Sequence, residues 1–209
     1  VGISKLVHKH YAKNPQAYID RVKSFGIGKK MGLQIPGEGK PFLKNTDDKS
    51  WSKVSLPWIS IGYECSMTPL QMLKPLFVKE IRNKGHLVET FKPVILRDSI
   101  ASPATIAKVK VMLEGVVERG TATNLRHAQY KIAGKTGTAQ IANAKDGYKS
   151  GKVRYQASFV GYFPADNPKY SCIVVVYAPN NNLYYASQVA GPIFKEIADK
   201  VFASSIELH

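Results

Sequence analysis

The chain has 209 residues and a mass of 23.1 kDa. Of the residues, 44% are hydrophobic and 22% are charged, as in a globular fold with a core. This length fits one domain or most of one. No apolar run approaches the ~20 residues that cross a bilayer. No secretion signal opens the chain, so we expect a soluble fragment whose targeting segment lies upstream of Val1.

The formal net charge of +15 favours a partner of opposite charge, such as nucleic acid or an anionic surface. The basic residues are scattered, however, and no basic helix or aromatic-basic motif accompanies them. We therefore expect a solvated basic surface and no nucleic-acid partner, with anionic phospholipid or cell-wall polymer as the alternative. Cys65 and Cys172 lack metal-ligand or disulfide spacing, so we expect free, partly buried thiols and neither metal nor cofactor.

The first half of the chain predicts short helices separated by irregular segments. Helical spacing of apolar residues predicts one helix over Ile3–Tyr11 and a second from Asn14-Pro15 to Gly26. The Gly- and Pro-rich stretch Gly26–Lys53 predicts an irregular surface connection. Thr68-Pro69 is typical of a helix start, but Lys74-Pro75 follows so soon that the helix is too short to be stable by itself.

The second half predicts a sheet with helices beside it. The pattern indicates a hairpin, a long helix, three successive strands and a C-terminal amphipathic helix. These elements are Phe77–Ile81 with Val88–Phe91, Ser102–Gly120, Tyr130–Ile141, Tyr155–Phe163, Tyr170–Tyr177 and Pro192–Phe202. The order predicts an α+β domain in which helices flank an antiparallel sheet.

The strand over Tyr130–Ile141 carries the residues with the clearest chemistry. Lys135 supplies a cation, Thr136 and Thr138 supply hydroxyls, and Gly137 has no Cβ to keep a ligand backbone away. Together they suit an extended substrate that bears a carboxylate. The alternative is an edge strand whose glycine, lysine and threonines are incidental.

The run Ala133–Gln140 resembles the Lys-Thr-Gly motif of penicillin-binding proteins. Other segments are similar to class B members of that family and occur in the family's order over nearly the whole chain. They are Phe25–Gly28, Pro36–Gly39, Ile61–Tyr63, Thr68–Gln71, Val117–Ala122 and Ser158–Pro168. The resemblance implies an incomplete fold of the penicillin-binding and serine β-lactamase type over residues 1–203, with a tail at 204–209.

The resemblance implies a division-type, monofunctional D,D-transpeptidase that cross-links peptidoglycan. In that family a serine attacks a stem peptide ending in D-Ala-D-Ala, and β-lactams acylate the same serine. The implied partners are stem peptides, β-lactams, a membrane-embedded glycosyltransferase and divisome proteins. The implied location is the bacterial inner membrane, with the catalytic domain on its periplasmic side and the anchor outside this chain.

The resemblance also implies a role for each residue of the motif. Lys135 acts electrostatically and in proton relay, and Thr136, Gly137 and Thr138 bind the substrate, with the two threonines on its carboxylate. The backbone N–H of Thr138 is one of two oxyanion donors, and the serine supplies the other.

The sequence departs from the family pattern in several places. Neither Ser-x-x-Lys nor Ser-x-Asn stands where the family has them, and Val1-Gly2-Ile3 resembles the residues that follow Ser-x-Asn. We therefore expect the nucleophile upstream and no activity from this chain alone. A segment is expected to be missing between Leu73 and Lys74. Glu64 replaces the second glycine of Gly-Tyr-Gly, which leaves the subfamily open.

Other functions remain open from the sequence. A penicillin-recognising sensor or a serine β-lactamase-like protein would share the motif but differ in how fast the acyl-enzyme is hydrolysed. A non-catalytic module of the same fold would lack the serine. Division and elongation roles are not distinguished.

Overall fold

The computed structural model describes residues 2–32, 36–73, 79–95, 97–127, 129–142, 147–148, 153–180 and 183–206. The chain divides into two units, Val1–Ile100 and Ala101–His209. Within the described ranges, no helix is both long enough and apolar enough to cross a membrane.

The first unit opens with the two predicted helices, α1 (Gly2–Tyr11) and α2 (Pro15–Ser24). The side chain of Asn14 accepts a hydrogen bond from the N–H of Ala17 at 3.2 Å, so it caps α2 as its sequence position indicated. Gly26 follows the helix with a φ of 81°, a conformation that glycine adopts without steric cost. Both helix predictions are confirmed.

The stretch Gly26–Lys53 is not irregular throughout, so that prediction is wrong at one place. Strand β1 (Phe42–Leu43) pairs antiparallel with β2 (Cys65–Ser66), and α3 (Ser55–Ile59) lies between the two in the chain. Two residues carry too little periodicity to predict a strand. The pairing depends on a partner more than twenty residues away, which local patterns do not report.

Glu64 occupies a backbone conformation that favours glycine. Its φ is 53°, and its carboxylate pairs with the Lys44 ammonium at 2.6 Å. The Lys44 N–H also donates to the Glu64 carbonyl at 3.0 Å, and Lys44 is only 7% exposed. A left-handed backbone costs a residue with a Cβ about 1–2 kcal/mol. The ion pair and the backbone bond offset that cost, which explains how a glutamate is accommodated where the resemblance led us to expect glycine.

The short helix that the sequence made doubtful does form, as α4 (Pro69–Leu73). Thr68 caps it through its hydroxyl, which accepts from the N–H of Gln71 at 3.2 Å. The Gln71 side chain is buried, accepts from the N–H of Thr68 at 3.0 Å and donates to the carbonyl of Gly39 at 2.7 Å. Tertiary hydrogen bonds therefore supply the stability that the length of α4 does not.

Glu38 completes this network in the loop before β1. Its carboxylate accepts from the N–H groups of Met31 at 2.6 Å and Gly32 at 3.1 Å, and from the Gln71 amide at 3.1 Å. A Cβ on Gly39 would lie 2.6 Å from a Thr68 methyl carbon, so the neighbouring position is restricted to glycine. The segments around Glu38 and Gln71 are thus joined by one hydrogen-bond network.

The first unit ends in the predicted hairpin, β3 (Glu80–Asn83) and β4 (His86–Thr90), which pair antiparallel. The predicted strand residues Phe77 and Val78 lie outside the described residues. Lys74 lies outside them too, so a missing segment after Leu73 remains a prediction.

The second unit contains the long helix α5 (Pro103–Glu118), a 3₁₀ turn (Thr123–Leu125), strands β5 (Ala133–Ile141), β6 (Arg154–Phe163) and β7 (Tyr170–Tyr177), and helix α6 (Ala186–Ile206). The strands form an antiparallel sheet in the order β5-β6-β7. The predicted α+β arrangement with an antiparallel sheet is confirmed. The proposed domain limits stay a prediction.

Aromatic side chains form the contact between the sheet and α6. Phe194 on α6 meets Phe159 of β6 edge-on, with ring centroids 4.8 Å apart, and lies 5.9 Å from Phe163. Edge-on geometry suits the ring quadrupoles and adds to the stabilisation from burying the rings. The buried core around this contact comprises Val117, Ala122, Leu125, Tyr130, Ile132, Phe159, Phe163, Ala190, Phe194 and Ala198.

Replacing Gln71 by alanine is expected to lower the free energy of unfolding by about 1–3 kcal/mol, because half-buried groups of Glu38 and Gly39 each lose a hydrogen-bond partner. The matched control is Met72→Ala on the same helix, where the side chain is 53% exposed. Urea unfolding of both variants measures the difference, and equal stabilities would contradict the structural role of Gln71.

Candidate active site

Strand β5 holds all four predicted site residues. In its register with β6, Thr136 lies opposite Phe159 and Thr138 opposite Ala157. Cross-strand partners share a face of a sheet, so both threonines lie on the face that packs on α6. Lys135 and Gly137 lie on the other face.

The backbone of β5 presents hydrogen-bonding groups at an open edge. The N–H of Ala178 donates to the carbonyl of Tyr155 at 2.9 Å, so the peptide groups of Tyr155 and of every second residue after it on β6 point toward β7. In an antiparallel ladder the alternate residues of β6 then bond to β5. By the β5–β6 register, the peptide groups of Thr136 and Thr138 point away from β6. No strand covers that edge within the described part of the chain.

The side chain of Lys135 reaches this open edge although it starts on the other face. Its ammonium donates to the carbonyl oxygen of Thr136 at 2.6 Å, and the residue is exposed. The edge therefore combines a cation with outward N–H groups, and the two threonine hydroxyls lie on the adjoining face, all within four residues. A site of this kind suits a substrate that is extended and negatively charged at one end.

Thr138 also caps helix α6. Its hydroxyl oxygen accepts from the N–H of Ala186, the first residue of α6, at 3.2 Å. The sequence prediction that began this helix at Pro192 is therefore wrong by nearly two turns. The cap comes from β5, far away in the chain, so local signals could not place the true start. It also brings the positive end of the helix dipole next to Thr138.

Packing against β6 explains why residue 137 is a glycine. A Cβ at this position would lie 2.6 Å from the Ser158 hydroxyl oxygen, which donates to the Gly137 carbonyl at 3.3 Å. The sequence argument invoked only the approach of a ligand. The structure adds that the neighbouring strand already occupies the space on that face.

Three tyrosines lie beside the end of the candidate site and were not predicted from the sequence. Tyr155 lies opposite Gln140 on the neighbouring strand, and Tyr184 stacks on it with ring centroids 4.4 Å apart. The ring centroid of Tyr185 lies 4.5 Å from that of Tyr184, and Tyr185 directly precedes Ala186. Tyr155 is far in the chain from the adjacent pair Tyr184 and Tyr185, so only the fold brings the three together.

Asp199 anchors the segment that leads into β5. It accepts hydrogen bonds from Tyr130 at 2.5 Å and Lys195 at 3.0 Å, and His127 lies 3.7 Å from it. Burial acts to raise the pKa of Asp199, but the hydrogen bonds from Tyr130 and Lys195 outweigh it and hold the pKa below 3.8. Burial and the bond to Asp199 raise the pKa of Tyr130. This cluster joins α6 to the residues before the site.

Thr121 is a second polar neighbour that the sequence did not single out. Its hydroxyl oxygen lies 3.1 Å from that of Thr136. The residue falls within Val117–Ala122, which resembled the family without suggesting a role. Its position next to the motif depends on the turn after α5.

Comparisons with known proteins identify the family of this chain. The family described as penicillin binding protein transpeptidase domain matches residues 4–199. The peptidoglycan D,D-transpeptidase FtsI of Buchnera aphidicola is 34% identical over 88% of this chain, and that of Escherichia coli is 28% identical over 94%. The structure of Pseudomonas aeruginosa PBP2 in complex with WCK 5153 superposes with a TM-score of 0.66 and 28% identity, over 95% of this chain and 46% of that one.

The chain spans about a third of the length of these curated relatives, 32% and 33% of the two FtsI proteins. Its match therefore concerns one part of such proteins.

Replacing Gly137 by alanine is expected to cost about 1 kcal/mol or more, because the new Cβ overlaps the Ser158 hydroxyl. The double variant Gly137→Ala/Ser158→Ala removes that oxygen and should recover most of the loss. A double-mutant cycle from urea unfolding measures the coupling, and simple additivity would argue against the packing explanation.

Replacing Asp199 by asparagine is expected to destabilise the protein near neutral pH. Because folding lowers the pKa of Asp199, its carboxylate stabilises the folded protein at pH values above its ordinary pKa of 3.8. This stabilisation is lost as the pH falls through the pKa of the folded state. The stability difference between the natural protein and the variant should therefore shrink in acid. Urea midpoints across pH test this, with the exposed Asp98→Asn as the control. A difference independent of pH would contradict it.

Proposed function

The chain belongs to the family of penicillin-binding protein transpeptidase domains, and we propose that it forms one wall of the active site of a peptidoglycan D,D-transpeptidase. The observation that carries this proposal is the open edge of β5. There the Lys135 ammonium contacts the Thr136 carbonyl, the peptide group of Thr138 points outward, and the two threonine hydroxyls lie on the adjoining face of the strand. The names of the FtsI relatives support the same activity.

The proposed reaction is an acyl transfer through a serine that lies outside this chain. The serine oxygen attacks the penultimate D-Ala carbonyl, and the bond to the terminal D-Ala nitrogen breaks as that nitrogen takes a proton. An amine of a neighbouring strand then attacks the acyl-enzyme ester and releases the serine. A β-lactam enters the first step in place of the peptide.

Each residue of β5 has a place in this chemistry. The N–H of Thr138 lies at the open edge, where it donates to the oxyanion that forms during both attacks. The hydroxyls of Thr136 and Thr138 donate to the terminal carboxylate of the substrate. The Lys135 ammonium stabilises negative charge at the same edge and takes part in proton relay. Gly137 has no Cβ to overlap the Ser158 hydroxyl, so β5 can pair closely with β6 at this point.

A β-lactamase-like enzyme, a penicillin sensor and a non-catalytic module are the competing functions. The FtsI relatives support the transpeptidase, since both are named peptidoglycan D,D-transpeptidases. The rate of deacylation separates a β-lactamase-like enzyme from a transpeptidase. A transpeptidase keeps a penicilloyl adduct for minutes or longer, whereas a β-lactamase clears it quickly.

The proposed partners are stem peptides ending in D-Ala-D-Ala, β-lactams, a membrane-embedded glycosyltransferase and divisome proteins. The proposed location is the outer face of a bacterial inner membrane, with an anchor that lies outside this chain. The solved Pseudomonas aeruginosa PBP2 contains WCK 5153, which supports a small-molecule site in this family.

Replacing Lys135 by methionine in the full-length protein is expected to slow acylation by fluorescent penicillin about 10²–10⁴-fold, because its charge and proton relay are lost. The matched control is Lys169→Met, an exposed lysine in the turn between β6 and β7. Adduct formation is followed with time on a denaturing gel. The 209-residue chain alone should give no adduct.

Two results would overturn the proposal. The first is full acylation of the Lys135 variant, and the second is an adduct on the 209-residue chain by itself. A chase with unlabelled penicillin then measures how long the adduct survives. Loss of the label within seconds would favour the β-lactamase-like function.

A further inference from the structure

The turn after α5 places Thr121 against the site. The N–H of Arg119 donates to the carbonyl of Gly115 at 3.0 Å, and the N–H of Ala122 reaches back to the carbonyl of Val116 at 3.0 Å. Between them a Cβ on Gly120 would lie 2.9 Å from the Val116 Cα, so the turn is tight. Such a reach-back bond closes a helix end and fixes the residues inside it.

Core packing holds this turn from its other side. Ala122 is fully buried in the core of the second unit, and Leu125, three residues further on, is buried as well. Thr121 itself is exposed, yet its hydroxyl oxygen lies 3.1 Å from that of Thr136. A surface side chain is thus held in place by a rigid backbone on both sides.

The direction of the hydrogen bond between these hydroxyls decides what Thr136 can offer a ligand. A hydroxyl has one proton to donate, while a carboxylate only accepts. Thr136 can therefore bind a carboxylate only if its proton is not given to Thr121. When Thr121 donates instead, the Thr136 proton is free to point at the ligand, and the accepted bond strengthens it as a donor.

The hydroxyl of Thr138 also accepts a hydrogen bond, and here the direction of the bond is fixed. Its hydroxyl oxygen accepts from the N–H of Ala186, a backbone group without any lone pair to accept in return. Its own proton is therefore left for another acceptor. Both threonines of the motif thus have a donor behind them, one from the backbone and one from a side chain.

We propose that Thr121 is a positioning residue that donates its hydroxyl proton to Thr136 and so directs the Thr136 hydroxyl to the carboxylate of the substrate or β-lactam. This inference rests on the proposed function. It assigns part of the selectivity for a negatively charged ligand to a residue outside the Lys-Thr-Gly motif. Thr121 touches Thr136 and acts through it.

The test compares benzylpenicillin with its uncharged methyl ester as acylating agents of the full-length protein. Thr121→Val removes the hydroxyl and keeps the shape, and it is expected to slow acylation by the acid about five- to tenfold. The rate with the ester should not change, since no carboxylate is present. Thr121→Ser keeps the hydroxyl and should restore the rate with the acid.

Thr123→Val is the matched control, because Thr123 is an exposed threonine in the same connection. Equal losses with acid and ester, or no loss with either, would overturn the role of Thr121. If the valine variant unfolds at a lower temperature, Thr121→Ala and Thr121→Ser at matched stability give the same comparison. A natural protein that reacts with neither compound would refute the proposed function itself, and this inference would fall with it.

Discussion

In an antiparallel ladder the peptide groups of successive residues point alternately to the partner strand and away from it, and the candidate site depends on this alternation in β5. With Lys135 and Gly137 bonded to β6, the peptide groups of Thr136 and Thr138 face the open edge. A slip of one residue would turn the N–H of Thr138 toward β6 and move both hydroxyls to the other face. Register therefore sets both the donors and the side chains of the site.

The packing that holds this register also connects the site to the core. Phe159 lies opposite Thr136 and packs edge-on against Phe194 of α6. At the other end of the motif, Thr138 caps that same helix through Ala186. Thr138 thus has a structural contact besides its proposed role with substrate, so a substitution there changes helix stability as well as binding. Kinetic loss at Thr138 has to be compared with the loss of stability.

In the first unit, hydrogen bonds join two of the segments that resemble the family. Gln71 and Glu38 belong to two segments that resemble the family, and their side chains bind each other and nearby backbone groups. Glu64 keeps a backbone conformation suited to glycine because Lys44 binds its carboxylate. These residues secure loops and a five-residue helix whose length alone gives little stability.

The sequence by itself determined the long helices, the three strands and the motif on β5, because hydrophobic periodicity, capping residues and turns are local signals. It also identified Lys135, Thr136, Gly137 and Thr138 as one group, since they are adjacent on one strand. Only the tertiary structure decided that α6 begins at Ala186, that β1 pairs with β2, and that Thr121 and three tyrosines lie beside the motif. These features depend on contacts between residues far apart in the chain, which no local pattern encodes.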